Sequence, residues 1–402
     1  MLHCDREYIK KTRALIIITL MFCVFGCSTY RTTKLNNLED FEPIKYDFAT
    51  YLIFNGKHPI YDSKLRRNSL TINQIDEKGK LIHRYLVYDD RITTFKGYQK
   101  GENKAYLVQL GLVIPKLLWE YNLSTGKFKP INYQADWHED TGLTYQAHIG
   151  KDIWITTLTS HLSGNQIDSM TGRHGILDST CNLTKGFCFE NDRNTFSSEI
   201  PVIEFDDGNV LVTRMEQVDI SETAIELYLK MFLYDENGVL IKEKKIDDNR
   251  IYNSFFMCVG NEIWIIPFYE EGDFLESIAY RVNEALEYKE IPLNNNKKYV
   301  FGSGIFQFPF SENQTIMSTG HYIYLVTVEN ESINITEYEY EFTENVSLDI
   351  KSVDFEKKEI YAIAWGDKNC YFQVFDFDFK RIKSIQISSK YIDGAGYVTR
   401  AS

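Results

Sequence analysis

Short apolar segments with an aromatic residue at their centre recur along the chain. They occupy residues 105–108, 153–156, 263–266, 323–326 and 360–363, and residues 210–212 fit the series without the aromatic. The aligned positions 106, 154, 211, 264, 324 and 361 are separated by 48, 57, 53, 60 and 37 residues. A turn-forming stretch precedes most of the segments, so the pattern predicts a repeat of roughly 50 residues built from β-strands.

A second motif follows most of these segments: an alternating strand, a polar turn and another strand. Its turns combine Asp or Asn with a later glycine, in the pairs Asp76 and Gly79, Asn122 and Gly126, and Asp235 and Gly238. This combination supplies the positive φ angle that a tight hairpin needs. A turn beginning at Asp376 and the units near residues 280 and 335 keep the strands and lack the glycine.

The two motifs together predict the architecture. A repeat of this length with about four strands is the signature of a β-propeller, whose ring of sheets buries the faces that one sheet alone cannot. The 27 Tyr and 26 Phe residues also favour strands. We therefore expect an all-β fold, a β-propeller of about seven four-stranded blades, with six or eight as alternatives. Residues 391–402 or 45–54 would close the ring, and a two-sheet or double-barrel protein without closure is the competing architecture.

Two units, at Asp76 and Asp235, consist of a strand, an Asp-x-x-Gly turn and a second strand. They resemble the blades of bacterial envelope propellers. These include the quinoprotein-like type and the propeller lipoprotein of the outer-membrane assembly machinery. The resemblance covers residues 50–395 and implies the fold and the cell envelope, but no activity.

The N-terminal segment predicts where the protein is located. Residues 14–26 are almost all apolar, a basic leader precedes them, and Gly26 and Cys27 follow. A helix of this length reaches about 20 Å, short of the roughly 30 Å hydrocarbon core, which favours an export signal over a transmembrane anchor, the alternative. The segment resembles a bacterial lipoprotein signal peptide. That resemblance implies cleavage before Cys27, attachment of lipid, including palmitate, to its thiol, and, from Ser28, an outer-membrane location facing the periplasm.

Three regions follow from these patterns. We expect a signal peptide over residues 1–26, a lipidated cysteine with a flexible tether over residues 27–45, and the propeller over residues 46–402. The net charge of the chain is −13, and loss of the signal peptide, with four basic and two acidic residues, makes the remainder more acidic. An acidic chain argues against nucleic acid and an anionic membrane surface as partners. The expected partners are the membrane, through the lipid on Cys27, and an envelope protein.

Four cysteines remain beyond Cys27. Cys181 and Cys188 flank a turn-like sequence, so they could meet across a hairpin and form a disulfide in an oxidising envelope. Cys258 and Cys370 lie in apolar, strand-like surroundings and are expected to be small buried side chains. The absence of a CxxC pair argues against a zinc ribbon or a thioredoxin-like redox centre.

Candidate binding residues are few. The chain lacks the nucleophile elbow, the HExxH motif and the phosphate-binding loops, so we predict no catalytic residue, metal site or cofactor. Trp137 and His138 lie in a polar cluster that is expected to be a loop between blades, with metal binding as an alternative. His161 and His174 bracket a polar insertion longer than a hairpin needs, which is either a partner-binding loop or an ordinary exposed one.

An alternating acidic segment lies near the C-terminal third of the chain. Four glutamates should share one strand face, with three aromatic side chains buried opposite: Glu337, Glu339, Glu341 and Glu344, against Tyr338, Tyr340 and Phe342. A solvated face is the simpler interpretation, and recognition of a basic partner is the alternative.

These observations lead to one functional hypothesis and two alternatives. We expect a non-enzymatic, lipid-anchored propeller that binds an envelope protein, either as an immunity lipoprotein or as an accessory subunit of an envelope machine. A surface lipoprotein that binds carbohydrate or peptide is the second possibility, and a hydrolase or lyase of the propeller type is the third.

Overall fold

The computed structural model describes most of the chain beyond the N-terminal segment. The described residues are 30–57, 69–88, 94–100, 103–110, 117–132, 143–149, 153–163, 166–177, 183–192, 195–196, 202–205, 207–221, 224–246, 254–267, 278–292, 308–342, 344–392 and 395–401. They form strands and two short 3-10 helices, Leu38–Asp40 and Ser389–Tyr391. Within these ranges no helix is long and apolar enough to cross a membrane.

The strands form seven separate sheets, which we number as blades in chain order. Blade 1 begins with β1 (Arg31–Leu35), β2 (Thr50–Lys57), β3 (Ser69–Asp76) and β4 (Leu81–Tyr88). Blade 2 contains β5 (Thr94–Lys100), β6 (Lys104–Leu110), β7 (Leu117–Asn122) and β8 (Lys127–Asn132). Blade 3 contains β9 (Leu143–Ile149), β10 (Ile153–Ser163), β11 (Gln166–Leu177) and β12 (Leu183–Asp192).

The remaining blades repeat the same order. Blade 4 contains β13 (Thr195–Phe196), β14 (Val202–Glu204), β15 (Val210–Ser221), β16 (Ala224–Tyr234) and β17 (Leu240–Ile246), and both β13 and β14 pair with β15. Blade 5 contains β18 (Ser254–Val259), β19 (Glu262–Pro267), β20 (Ile278–Val282) and β21 (Tyr288–Pro292). Blade 6 contains β22 (Phe308–Ser311), β23 (Gln314–Thr319), β24 (Tyr322–Glu329) and β25 (Ser332–Glu339). Blade 7 contains β26 (Val346–Asp354), β27 (Glu359–Gly366), β28 (Cys370–Asp376) and β29 (Arg381–Ile387), and β30 (Ala395–Arg400) ends the chain.

The last strand closes the ring. β30 pairs with β2 in antiparallel fashion, with Phe54 opposite Tyr397, and so becomes the innermost strand of blade 1. The first and last strands of the domain are thereby joined in one sheet. The fold is an all-β propeller with seven blades, and of the two predicted closing segments residues 391–402 provide the innermost strand.

Aromatic and aliphatic side chains fill the spaces between neighbouring blades. Tyr51 of blade 1 lies 4.8 Å, ring centre to ring centre, from Phe372 of blade 7. Phe54, on the opposite face of the same strand, lies 5.8 Å from Phe128 of blade 2. Because alternate residues of a strand face opposite sides of its sheet, each inner strand contributes to two interblade cores.

The repeated strand order gives the ring two distinct faces. We call the lower face the side that carries the turns between first and second strands. The turns between third and fourth strands, which we call third turns, lie against the fourth strand of the preceding blade, as Gly79 does against Ile385 and Ile387 of blade 7. The upper face carries the turns between second and third strands and the connections between blades. A repeated contact joins neighbouring blades: a lysine near the start of a fourth strand reaches the third turn of the next blade. The three contacts are Lys242 Nζ to Ala285 O at 2.6 Å, Lys289 Nζ to Glu331 Oε2 at 3.1 Å and Lys383 Nζ to Glu77 Oε2 at 3.5 Å.

The third turns have the chemistry that the sequence predicts. Asp76 Oδ1 accepts hydrogen bonds from the backbone N–H groups of Lys78 and Lys80 at 2.9 and 2.8 Å, and Gly79 has φ of +78°. Where the glycine is missing, a non-glycine residue adopts the same conformation. Leu286 and Phe379 have φ of +56° and +60°.

The structure corrects the alignment of blade 6. Tyr324 lies in β24, the third strand of its sheet, whereas the other aligned segments are second strands. The equivalent second strand is β23, centred on Ile316, which changes the last two spacings from 60 and 37 to 52 and 45 residues. The error arose because the Gly320 turn resembles the glycine turn that precedes the second strand of blade 5.

Most of the predicted tether is part of the folded domain. β1 pairs in parallel with β4, Arg31 lies opposite His83, and Phe41 is buried against Tyr85 at 4.8 Å between ring centres. A parallel outer strand of this kind depends on contacts with distant residues, so a polar local sequence does not reveal it. Between Cys27 and the start of β1 lie only Ser28, Thr29 and Tyr30.

Candidate functional site

A cavity of about 370 Å³ opens on the upper face between blades 6 and 7. Its wall from blade 6 is the turn residue His321 together with Glu339, the last residue of β25. The connection from β25 to β26 provides the rest of the lining: Tyr340, Glu341, Phe342, Glu344, Asn345 and Val346. The cavity therefore coincides with the acidic segment that the sequence analysis singled out.

The alternating sequence places aromatic side chains beneath the carboxylates. Tyr340 is buried, and its hydroxyl donates a hydrogen bond to the backbone carbonyl of Phe379 at 2.7 Å. Burial raises the pKa of the Tyr340 hydroxyl, so it stays protonated and keeps this bond. Tyr338 stacks on the ring of Phe379 at 4.3 Å. The predicted burial of aromatic residues opposite the glutamates is confirmed for Tyr340, while Tyr338 and Phe342 are partly buried.

An arginine from blade 7 supports the aromatic floor of the cavity. The guanidinium carbon of Arg381 lies 5.3 Å from the ring centre of Phe342 and 6.0 Å from that of Tyr340. The same guanidinium donates a hydrogen bond to the backbone carbonyl of Glu341 at 3.1 Å. Cation–π contacts and one charge-assisted hydrogen bond thus fix the connection between the two blades.

The carboxylate groups of the cavity differ in their surroundings. Glu344 accepts hydrogen bonds from Asn369 Nδ2 at 2.8 Å and the backbone N–H of Lys368 at 3.1 Å. The Asn369 bond is the main cause of a lowered pKa at Glu344, which stays ionised. Glu339 accepts a hydrogen bond from the Tyr322 hydroxyl at 3.3 Å and lies 3.3 Å from His321 Nε2. Desolvation and the Glu339 charge raise the pKa of Tyr322.

This arrangement suits a cationic group. Glu339 and Glu341 are exposed, and no described side chain neutralises Glu341 by a hydrogen bond or an ion pair. An ammonium or guanidinium group entering the cavity would meet carboxylates at the rim and aromatic rings beneath them. Among the described residues no group of three or more His, Cys, Asp or Glu side chains is placed to hold a metal ion.

A second charged cluster lies at the ring closure. Glu359 accepts a hydrogen bond from the Tyr361 hydroxyl at 2.7 Å and pairs with Arg400 at 3.3 Å, and Asp354 pairs with Lys357 at 3.2 Å. Burial, and after it the charge of Glu359, raises the pKa of Tyr361. Because its carboxylates are already paired and Arg400 belongs to the closing strand, this cluster holds the ring together.

Two of the four weak binding candidates from the sequence lie among the described residues. Trp137 and His138 lie outside the described residues. His161 and His174 lie in β10 and β11, opposite Ser169 and Thr156 respectively. The polar insertion is therefore a long hairpin of blade 3 on the upper face rather than a loop, because its polar residues pair along both strands.

The cysteine predictions have mixed outcomes. Cys27, Cys181 and the side chain of Cys258 lie outside the described residues. Cys188 lies in β12, and residues 183–187 of the predicted turn belong to the same strand. Because Cys181 lies outside the described residues, the disulfide between Cys181 and Cys188 stays a prediction. Cys370 is buried with a free thiol, as expected.

Sequence reasoning found the glutamates and missed their neighbours. His321 belongs to a turn that looked purely structural, and Arg381 lies after a hairpin in another blade. Neither residue carries a local signal of its role, because only the packing of blade 6 against blade 7 brings them to the cavity.

Comparisons with known proteins give distant likenesses. No protein-family model matches the chain, and no curated protein matches it. A cobalt-substituted Synechocystis apocarotenoid oxygenase is 10% identical, with a TM-score of 0.48, covering 91% of this chain and 95% of that one. A putative 6-phosphogluconolactonase from Bacteroides fragilis is 12% identical, with a TM-score of 0.43, covering 90% of this chain and 100% of that one.

These likenesses correct one prediction. The sequence analysis expected the chain not to be an enzyme, yet the similar solved structures bear the names of enzymes, an oxygenase and a lactonase. Exclusion of catalysis from missing motifs was therefore wrong, because such motifs report particular active sites rather than what a fold can support. At this distance the likenesses transfer no activity to the chain.

Proposed function

We propose that this protein is a lipid-anchored propeller of the bacterial cell envelope whose upper face binds a basic segment of another envelope protein. The lipid is placed on Cys27, and the membrane is the outer membrane, with the domain in the periplasm. An immunity lipoprotein and an accessory subunit of an envelope machine both fit this description, since each binds one protein partner.

The acidic cavity is the observation that carries the proposal. It is built by two blades, its glutamates lie over an aromatic floor, and Arg381 and Glu344 fix its walls through bonds to backbone groups. A rigid concave site of one charge sign selects partners by electrostatic complementarity. The long hairpins of blades 3 and 4, with strands of 11 or 12 residues, lie on the same face and extend the surface available to a partner.

The test is a crosslinking pull-down from native membranes, analysed by mass spectrometry. The unchanged lipoprotein is compared with a Glu339→Gln and Glu341→Gln double variant. The matched control is Glu236→Gln with Glu356→Gln, which removes two exposed carboxylates from turns of blades 4 and 7 that do not line the cavity. A Cys27→Ala form reports the need for the anchor.

We expect one stoichiometric partner that the parent and the Glu236→Gln, Glu356→Gln control retain and the cavity variant loses. Added salt should weaken its capture. Equal capture by the cavity variant and its control would refute the role of the cavity. Absence of any partner above background would refute the protein-binding function.

A further inference from the structure

An arginine on β4 is held between two tyrosine rings. The guanidinium carbon of Arg84 lies 5.4 Å from the ring centre of Tyr30 and 5.4 Å from that of Tyr391. Its Nε donates a hydrogen bond to Asn73 Oδ1 at 3.0 Å. Asn73 and Asn55, both fully buried, donate side-chain hydrogen bonds to the backbone carbonyl of Tyr391 at 2.8 and 2.6 Å. Buried amides thus fix the arginine and one of its tyrosines in place.

The terminal nitrogens of this guanidinium have no protein partner. Within the part of the chain that the structure describes, neither Nη group of Arg84 has a hydrogen-bond acceptor and no carboxylate pairs with it. Lys34 lies on the same face of the sheet, because Thr32 is opposite Arg84 in the parallel pair and Lys34 is two residues further along β1. Lys34 is exposed and likewise has no carboxylate partner among the described residues.

Two unpaired cations on one face are unusual in a chain whose net charge is −13. The guanidinium of Arg84 is planar, and its N–H groups form a fork that matches the oxygen atoms of a phosphate. Since its position is already fixed, little side-chain entropy is lost when it binds such a group. The geometry therefore suits a phosphate-bearing ligand.

The tyrosine clamp lies close to the proposed lipid anchor. Tyr30 is three residues after Cys27, so the Cα atoms of the two residues are at most about 11 Å apart, whichever way the rest of the domain points. The polar headgroup layer on each side of a bilayer is about 5–8 Å thick, and tyrosine rings are enriched there. A lipid on Cys27 thus brings Arg84 within reach of headgroup phosphates.

We propose that Arg84 and Lys34 bind the phosphate of a phospholipid headgroup in the membrane that holds the Cys27 anchor. This site rests on the proposed lipidation of Cys27. The bond from Arg84 Nε to Asn73 leaves the Nη groups for the phosphate oxygens, and Lys34 supplies a second positive charge. A phosphate held beside the anchor restricts rotation of the domain about its short connection to the lipid.

Native mass spectrometry of the full lipoprotein in nonionic detergent micelles tests the site, with phosphatidylglycerol as the added lipid. We expect one bound lipid per protein. Arg84→Gln and Lys34→Gln should each weaken its binding by about fivefold. The matched control is Arg31→Gln, which removes an exposed arginine from the opposite face of β1 and should leave the affinity unchanged. Diacylglycerol, which lacks the phosphate, should not bind.

The outcomes separate the site from the anchor. Equal weakening by Arg31→Gln, or equal binding of diacylglycerol, overturns phosphate recognition by Arg84. Inorganic phosphate that binds with the same dependence on Arg84, while phosphatidylglycerol does not bind, overturns the lipid as its source. Far-UV circular dichroism checks that Arg84→Gln is folded, and Lys34→Gln, at an exposed position, tests the site without disturbing the clamp. The mass of the N-terminal peptide reports lipidation separately, so an unmodified Cys27 refutes the anchor while the lipid titration still decides the site.

Discussion

Replacement of Phe379 by glycine sets two effects of known sign against each other. Phe379 has φ of +60° in the third turn of blade 7, at the position that Gly79 and Gly238 occupy in blades 1 and 4. A left-handed conformation costs a non-glycine residue about 1–2 kcal/mol, which glycine would recover. If backbone strain were the only consideration, the Phe379→Gly variant would be more stable than the parent.

The packing of the ring opposes this gain. Phe379 is only 5% exposed, and its ring lies 4.3 Å from that of Tyr338 and 5.5 Å from that of Phe310. Truncation of a buried Phe costs about 3–5 kcal/mol, because contacts with its neighbours are lost and a cavity remains. We therefore expect Phe379→Gly to lower the free energy of unfolding by ~1–4 kcal/mol, the difference between the two effects.

A matched variant isolates the backbone contribution. Lys358 has φ of +52° and an exposed side chain, so Lys358→Gly should recover the strain and raise the free energy of unfolding by ~1–2 kcal/mol. Both variants would be measured by urea unfolding followed by far-UV circular dichroism. If Phe379→Gly is as stable as Lys358→Gly, the claim that interblade packing holds this residue in its conformation is refuted.

Three further predictions follow from close contacts and shifted pKa values. Gly79→Ala should lower the free energy of unfolding by ~2–3 kcal/mol, because an added Cβ atom would lie 2.3 Å from Ile385 Cγ2. Gly260→Ala, which has open space around it, should lower it by only ~1 kcal/mol, and equal losses in thermal melts would refute the steric argument. Burial, assisted by the charge of Arg31, lowers the pKa of His83. The neutral imidazole therefore stabilises the fold fully above pH ~6.5, and this stabilisation is lost as the pH falls through the lower pKa of the folded state. The protection factors of β1 amides, which are exchange rates corrected for the pH dependence of intrinsic exchange, should fall over that interval in the parent and stay constant in His83→Gln; an equal fall in both would refute the role of His83. The lowered pKa of Glu344 means that the ionised carboxylate stabilises the fold above pH ~4.5 and that this stabilisation is lost as the pH falls below that value. The melting temperatures of the parent and of Glu344→Gln should therefore converge on acidification. A constant difference between the two melting temperatures would contradict this prediction.

Turns that contain both an Asp or Asn and a glycine could be predicted from the sequence, whereas turns that adopt the same conformation without glycine could not. The Asp76 turn combines a side-chain acceptor with a glycine three residues later, and both features are visible in the sequence. Leu286 and Phe379 adopt the same conformation without glycine, since tertiary packing offsets the strain. A sequence pattern reports what a segment prefers by itself, so positions where packing overrides that preference are missed.

Long-range pairing set the other limit on prediction. The acidic alternation around Tyr340 indicated a strand with a buried aromatic face, which the structure confirms for that residue. The association of β1 with β4 and the arrival of Arg381 beneath Phe342 depend on segments far apart in the chain. The number of blades was predictable because the repeat is periodic, while the strand assignment within blade 6 was not, because Gly320 and Gly260 are followed by similar apolar strands.

Contacts between neighbouring blades differ around the ring, and this difference bears on where a partner can bind. Lys242, Lys289 and Lys383 repeat one contact from blade to blade. The connection from blade 6 to blade 7 instead leaves a cavity whose exposed glutamates lie on a fixed support. A site that combines a fixed backbone with unpaired surface charge loses little conformational entropy when it binds an oppositely charged group.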